Sequence, residues 1–101
     1  MRYFIIGDED SVLGFGMVGV EGKSVANAAE AETVFASVLK DRDIGIVMIT
    51  ERAAEMIREK VDAYLFSEQF PLIVEIPDKE GRRPDRPGLR QMVNDAIGIS
   101  L

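Results

Sequence analysis

Ile44-Gly45-Ile46-Val47-Met48-Ile49-Thr50 runs seven residues without a charge, and five of them are β-branched. A strand with one wet face alternates apolar and polar residues, and this one does not. Such runs mark strands covered on both faces, as in parallel sheets flanked by helices. The stretch is therefore read as a central strand with the other elements laid beside and over it.

Working outward, Tyr3-Phe4-Ile5-Ile6 is a second continuous apolar run, giving a first strand over Arg2–Ile6 that ends at Gly7. Asp8-Glu9-Asp10-Ser11 then places acids and a hydroxyl where a helix start favours them. A short helix follows through Val12, Leu13, Phe15 and Met17, weakened by Gly14 and Gly16 at about 1 kcal/mol each relative to Ala. Those glycines imply a close neighbour or a brief, bent helix. Val18-Gly19-Val20-Glu21 reads as a short edge strand. Asn27 with Glu30 resembles a capping box. It opens a helix with Ala31, Val34, Phe35, Val38 and Leu39 on one face and Lys40 near its end.

Beyond the central strand, Thr50 is suited to cap a third helix carrying Ala54, Ile57, Val61, Tyr64 and Leu65 at helical spacing. That helix has to stop before Pro71. Pro71–Ile76 reads as a fourth strand closed by Pro77. Residues 77–88, rich in Pro and Gly, read as a loop. A last helix over 89–98 carries the stripe Leu89, Met92, Val93, Ala96 and Ile97, with Gly98 as its C-terminal cap and Ile99 able to fold back on it. The fold class is thus α/β: a small four-stranded parallel sheet in βαβαβαβα order, receiver-like, as one domain over 1–101.

Composition narrows the chemistry. With 101 residues, 47% hydrophobic, the chain is long enough for one core. It contains no Cys and no His, which excludes disulfides, thiolate metal sites and the commonest general base. No apolar run approaches the ~20 residues of a membrane span. The N-terminal segment meets acid too early for a signal peptide. A cytoplasmic protein is expected. Residues 1–78 hold 15 acids and 7 bases, a net of −8, whereas 79–90 hold 5 bases and 2 acids, a net of +3. An acidic body disfavours nucleic acid as a partner.

Gly14-Phe15-Gly16-Met17-Val18-Gly19 matches G-x-G-x-x-G, but six residues separate it from Gly7 and it leads into a strand. A dinucleotide fingerprint follows the first strand directly and opens the helix, so structural glycines are the better reading. Asp8, Glu9 and Asp10 stand where a receiver domain binds a hard cation. That domain's phosphoacceptor position is held here by Thr50-Glu51, and a fifth strand is missing. Capping accounts better for these acids, and a receiver-like phosphorylation or metal-binding module remains the alternative function. Thr50 and Ser11 lack an activating base. Arg82, Arg83, Arg86 and Arg90 form the basic patch, without interleaved aromatics for stacking on bases. It is read as solvated, with docking on an acidic protein surface as the alternative. The C-terminal stripe fits either a core or a partner contact.

Taken in order, Ile6-Gly7-Asp8, Val12-Leu13-Gly14-Phe15, Gly19-Val20, Asp43–Glu51, Pro71–Pro77 and Val93–Gly98 resemble the F subunit of V-type (A-type) ATP synthases, over nearly the whole chain. At Gly16-Met17-Val18 the chain departs from the family, which often carries a basic residue there. The resemblance implies a receiver-like parallel sheet without catalytic, metal or cofactor sites. It implies docking on the coiled coil of the D subunit as part of the central rotor shaft. The further partners implied are the head of A and B subunits and the stalk subunit linking to the membrane ring. Rotation there couples ATP hydrolysis or synthesis to proton or sodium transport, peripheral to the membrane. For an interface with an apolar centre and polar rim, the candidates are Leu72, Ile73, Met92, Ile97 and Ile99, rimmed by Arg82, Arg83 and Arg86.

Overall fold

The structure is a computed structural model that describes residues 1–68 and 70–77. The expected loop beyond Pro77 and the expected helix over 89–98 lie outside those residues. Four strands, β1 (Arg2–Gly7), β2 (Glu21–Ser24), β3 (Ile44–Thr50) and β4 (Leu72–Ile76), form one sheet in the order β2-β1-β3-β4. Every pairing is parallel. β3 has the bounds read from the sequence and lies in the interior of the sheet.

The helices are α1 (Glu9–Gly16), α2 (Ala28–Lys40), α3 (Glu51–Met56) and α4 (Arg58–Ser67). Right-handed crossovers decide which face each one covers. The step from β1 to β2 runs one way across the sheet. The step from β2 to β3 runs back over β1, and the step to β4 continues in that direction. So α1 lies on one face and α2, α3 and α4 lie on the other.

The three-helix face carries the core. Ile6, Val47, Ile49 and Ile73 pack there with Ala31, Phe35 and Val38 of α2 and with Ala53, Ala54, Ile57 and Val61 of α3 and α4. Phe35 meets Tyr64 edge-on, with ring centroids 6.1 Å apart. A register shift between Arg2 and Tyr3 sets Ile44 opposite Arg2 and Ile46 opposite Tyr3. The extra residue, Gly45, lets Ile44 join Val47 and Ile49 in the same core cluster.

Several local expectations shift. The edge strand lies at Glu21–Ser24, not Val18–Glu21. Residues 17–20 instead close α1 with turn bonds from Val18 N–H to Phe15 O and from Gly19 N–H to Gly16 O, each donated back into the helix. Gly19 sits at φ +90°, a conformation only glycine adopts freely. Gly14 and Gly16 have open space around them, so α1 is simply brief. The third helix is two helices, broken at Ile57 (φ −131°, ψ 39°). The break keeps Ile57 in the core and starts α4 at Arg58. Leu65, expected on the buried stripe, is exposed. The fourth strand begins at Leu72, one residue after Pro71.

Candidate functional site

The carboxyl ends of the strands come first, because ligands of open α/β sheets bind there. Asp8 is the N-cap of α1: its carboxylate accepts from Ser11 N–H at 3.1 Å and from Ser11 Oγ at 2.6 Å. Ser11 is therefore the donor in this cap rather than the cap itself. Thr50 is buried, and its Oγ1 accepts from Ala53 N–H at 3.2 Å. A Cβ on Gly7 would stand 2.5 Å from Thr50 Cγ2, so the two strand ends are packed together. Both hydroxyls are committed to holding helix starts. Among the described residues, no group of three acidic side chains is placed to hold a metal ion. Glu51, which follows Thr50, is 8% exposed, and its Oε2 has no hydrogen-bond partner among the described residues.

α4 is fixed to β4 by one guanidinium. Arg58 donates to both carboxylate oxygens of Glu75, at 2.7 and 2.9 Å. It also donates to Glu55 at 3.0 Å and to Asp62 at 3.2 Å. The hydrogen bonds to Glu75 chiefly hold its pKa well above the ordinary value, against the opposing effect of burial. Tyr64 donates to Pro71 O at 2.6 Å, tying α4 to the approach to β4. Burial, then the charge of Glu68, raises the Tyr64 pKa. A cleft of about 520 Å³ opens beside it, lined by Lys40, Asp41, Arg42, Glu68 and Phe70 among others. Its rim is charged and open, without a nucleophile beside a base.

The second face of the sheet is the feature that most needs an explanation. Tyr3, Ile46 and Leu72 form one cross-strand row, and Ile5, Met48 and Val74 form the next. α1 covers the end of the second row at Ile5, which lies close under Val12 and Gly22. Toward β3 and β4 the cover gives out: Tyr3 is 48% exposed, Leu72 55% and Val74 37%, while Ile46, Met48 and Ile76 are half-buried. The expectation that β3 is covered on both faces therefore holds only for its Val47 and Ile49 side among the described residues. Two smaller apolar groups are also exposed: Leu13, Met17 and Val18 at the end of α1, and Leu65 and Phe66 in the last turn of α4 with Phe70 ahead of β4.

The interface candidates divide accordingly. Leu72 lies on the half-covered face, whereas Ile73 points into the helix-covered core and is 8% exposed. Arg82, Arg83, Arg86, Met92, Ile97 and Ile99 lie outside the described residues. Sequence reasoning did not single out Tyr3, Ile46, Met48 and Val74, because a continuous apolar run does not say which of its faces is left open.

Residues 4–93 match the family described as ATP synthase (F/14-kDa) subunit. The chain belongs to the F-subunit family of ATP synthases. Its full length aligns at 34% identity with the A-type ATP synthase F subunit of Pyrococcus furiosus, covering 98% of that protein. The F subunit of Methanothermobacter thermautotrophicus is 35% identical over 96% of this chain and 92% of its own. That of Methanocaldococcus jannaschii is 30% identical over 100% and 99%. Membership of the F-subunit family makes the chain an accessory subunit of an ATP synthase. Among the described residues, no helix is long and apolar enough to cross a membrane.

Proposed function

We propose that this chain works in the central rotor shaft of an A-type ATP synthase, docked on the coiled coil of the D subunit inside the ring of A and B subunits. It performs no chemistry of its own. Turning with the shaft, it couples ATP hydrolysis or synthesis in the head to proton or sodium movement through the membrane sector. It resides in the cytoplasm, peripheral to the membrane. The observation that carries the reading is the end-to-end likeness to proteins described as the F subunit of A-type ATP synthases.

The local chemistry supports it. The side chains a receiver module would use are engaged in capping, at Asp8, Ser11 and Thr50. A shaft component has to transmit torque through a firm interface, and such interfaces centre on apolar anchors. Phe66 and Phe70 are exposed aromatics on a segment that Tyr64 and Pro71 hold in place. With the neighbouring Leu72 they form the docking surface we assign to the D subunit.

The test is co-purification with the D subunit. The full chain is expected to form a stable one-to-one complex that survives gel filtration. F66D with F70D is expected to weaken it at least tenfold, in line with loss of an aromatic anchor worth ~2 kcal/mol or more. Failure of the unaltered chain to bind the D subunit contradicts the reading.

A further inference from the structure

In a parallel sheet each crossover helix returns toward the amino end of the strands, so α2 and α4 run side by side in the same direction. They meet at depth, where Phe35 packs edge-on against Tyr64. Outside that contact they leave a trough open to solvent. Its upper part, of about 500 Å³, lies between Glu32 and Lys60 over Phe35, Ala36, Leu39 and Ala63. The cleft of about 520 Å³ described above shares Leu39 and Tyr64 with it and carries the trough on to Phe70 and Pro71.

The shape suits a helix. Ala36 on α2 and Ala63 on α4 are exposed and small, which lets a third helix approach to the usual 8–10 Å between axes. Half-buried Leu39 and Tyr64 give the floor an apolar centre, as in grooves that take the apolar face of an amphipathic helix.

Charge says which helix. Of the seven bases in residues 1–78, Arg2 is paired with Glu21 and Asp41, Arg58 with Glu55, Asp62 and Glu75, and Arg52 is engaged as well. Among the described residues, Lys23, Lys40, Arg42 and Lys60 remain without an ion pair. Three of these four line the trough, Lys60 at one end and Lys40 and Arg42 at the other. Asp41 is neutralised by Arg2, which leaves Glu32 and Glu68 as the opposing acids. The trough is thus a basic locus on a body of net −8. Glu32 and Leu39 are seven residues apart on α2, so its two ends are separated by ~10 Å, or two helical turns.

We infer that one helix of the D-subunit coiled coil lies in this trough, its apolar stripe on Leu39 and Tyr64 and its carboxylates, one heptad apart, against Lys60 and against Lys40 with Arg42. The inference rests on the docking proposed above and names the chemistry of the docked face. Phe70, already given to the D subunit, lines the trough and joins it to that surface.

Binding of the full chain to the purified D subunit, measured by titration calorimetry at low salt, tests it. Arg42→Glu and Lys60→Glu are each expected to weaken binding about threefold or more, and Glu68→Lys to tighten it. Lys23→Glu makes the same change in net charge on β2, at the opposite edge of the sheet from β4, and is expected to have little effect. Ala63→Trp fills the trough from an exposed position and is expected to weaken binding roughly tenfold or more. Binding that is retained with Ala63→Trp, or that responds to Arg42→Glu no more than to Lys23→Glu, overturns the inference and leaves the rotor reading standing. Opposite signs, with Arg42→Glu tightening and Glu68→Lys weakening, overturn it in favour of a basic partner face. A dimer of the isolated chain that Arg42→Glu dissolves overturns it in favour of a second copy. Failure of the unaltered chain to bind removes the rotor reading and the inference together.

Discussion

Gly22→Ala and Gly14→Ala make the same chemical change, adding one methyl, and the structure assigns them opposite signs. Gly22 lies in β2 beside Ile5. A Cβ there would meet the Ile5 Cγ2 methyl in a clash, the Ile5 backbone O at 2.8 Å and Val12 Cγ1 at 3.2 Å. Ile5 is fully buried and its carbonyl belongs to the sheet, so neither can yield without moving β1 or α1. Overpacking of this kind costs about 1–3 kcal/mol. Gly14 is in the middle of α1, with nothing within 4 Å of its Cβ position. Ala there relieves the helix of its glycine and stabilises by roughly 0.5–1 kcal/mol. Urea unfolding of the full chain, followed by circular dichroism at 222 nm, reads both. With a slope of about 1–2 kcal/mol/M for a domain of this size, Gly22→Ala lowers the midpoint by roughly 1 M and Gly14→Ala raises it by about half that. A neutral Gly22→Ala would refute the close packing of α1 on the β1–β2 ribbon. A destabilising Gly14→Ala would refute the open setting of α1.

The Arg58 cluster gives a second check. Arg58→Met removes the bidentate partner of the largely buried Glu75 carboxylate and is expected to cost about 2–4 kcal/mol, with Arg58→Met plus Glu75→Leu recovering most of it; a single-variant loss below about 0.5 kcal/mol by the same assay rejects the role given to Arg58. Tyr64 supplies a pH dependence. Its folded pKa is raised above the ordinary 10.0, so the unfolded chain loses this proton first as pH rises. The contribution is fully present below pH 10.0 and is lost as pH climbs through the higher folded value. Tyr64→Phe is expected to cost ~1 kcal/mol at neutral pH through loss of the bond to Pro71 O. It is also expected to flatten the alkaline decline, and an identical decline in both proteins contradicts the assignment.

The sequence makes β3 legible because its apolar run is uninterrupted, and it makes α2 legible because Ala31, Phe35 and Val38 repeat at helical spacing and Asn27 is a strong cap. Asn27 Oδ1 does accept from Glu30 N–H at 2.9 Å, although the Glu30 carboxylate reaches Ala26 N–H rather than that of Asn27. β2 is misplaced for a physical reason. Glu-Gly-Lys-Ser carries no apolar signal, and the β-branched Val18 and Val20 beside it are spent in a turn that Gly19 allows. The break at Ile57 is likewise invisible to periodicity, since Ala54 and Val61 are both buried on either side of it.

The site was less legible still. Counting apolar residues cannot separate Leu72 from Ile73. Only the strand order, which sends two successive crossovers over one face, shows that Ile73 is core and that Leu72 faces the thinly covered side. The acids at Asp8–Asp10 looked like a cation site by position, and the capping bonds of Asp8 account for the first of them. The exposed aromatics Phe66 and Phe70 stand out only once α4 is seen to end at Ser67 with Phe66 turned to solvent.

The proposed role of the chain is to be gripped by a turning partner. Reconstituting the catalytic A and B head with the D subunit, with and without this chain, and measuring ATP hydrolysis tests it most directly. The isolated chain is expected to hydrolyse no ATP, and the head is expected to run faster when the chain joins the D subunit. Equal rates with and without it, or turnover by the chain alone, would contradict that role.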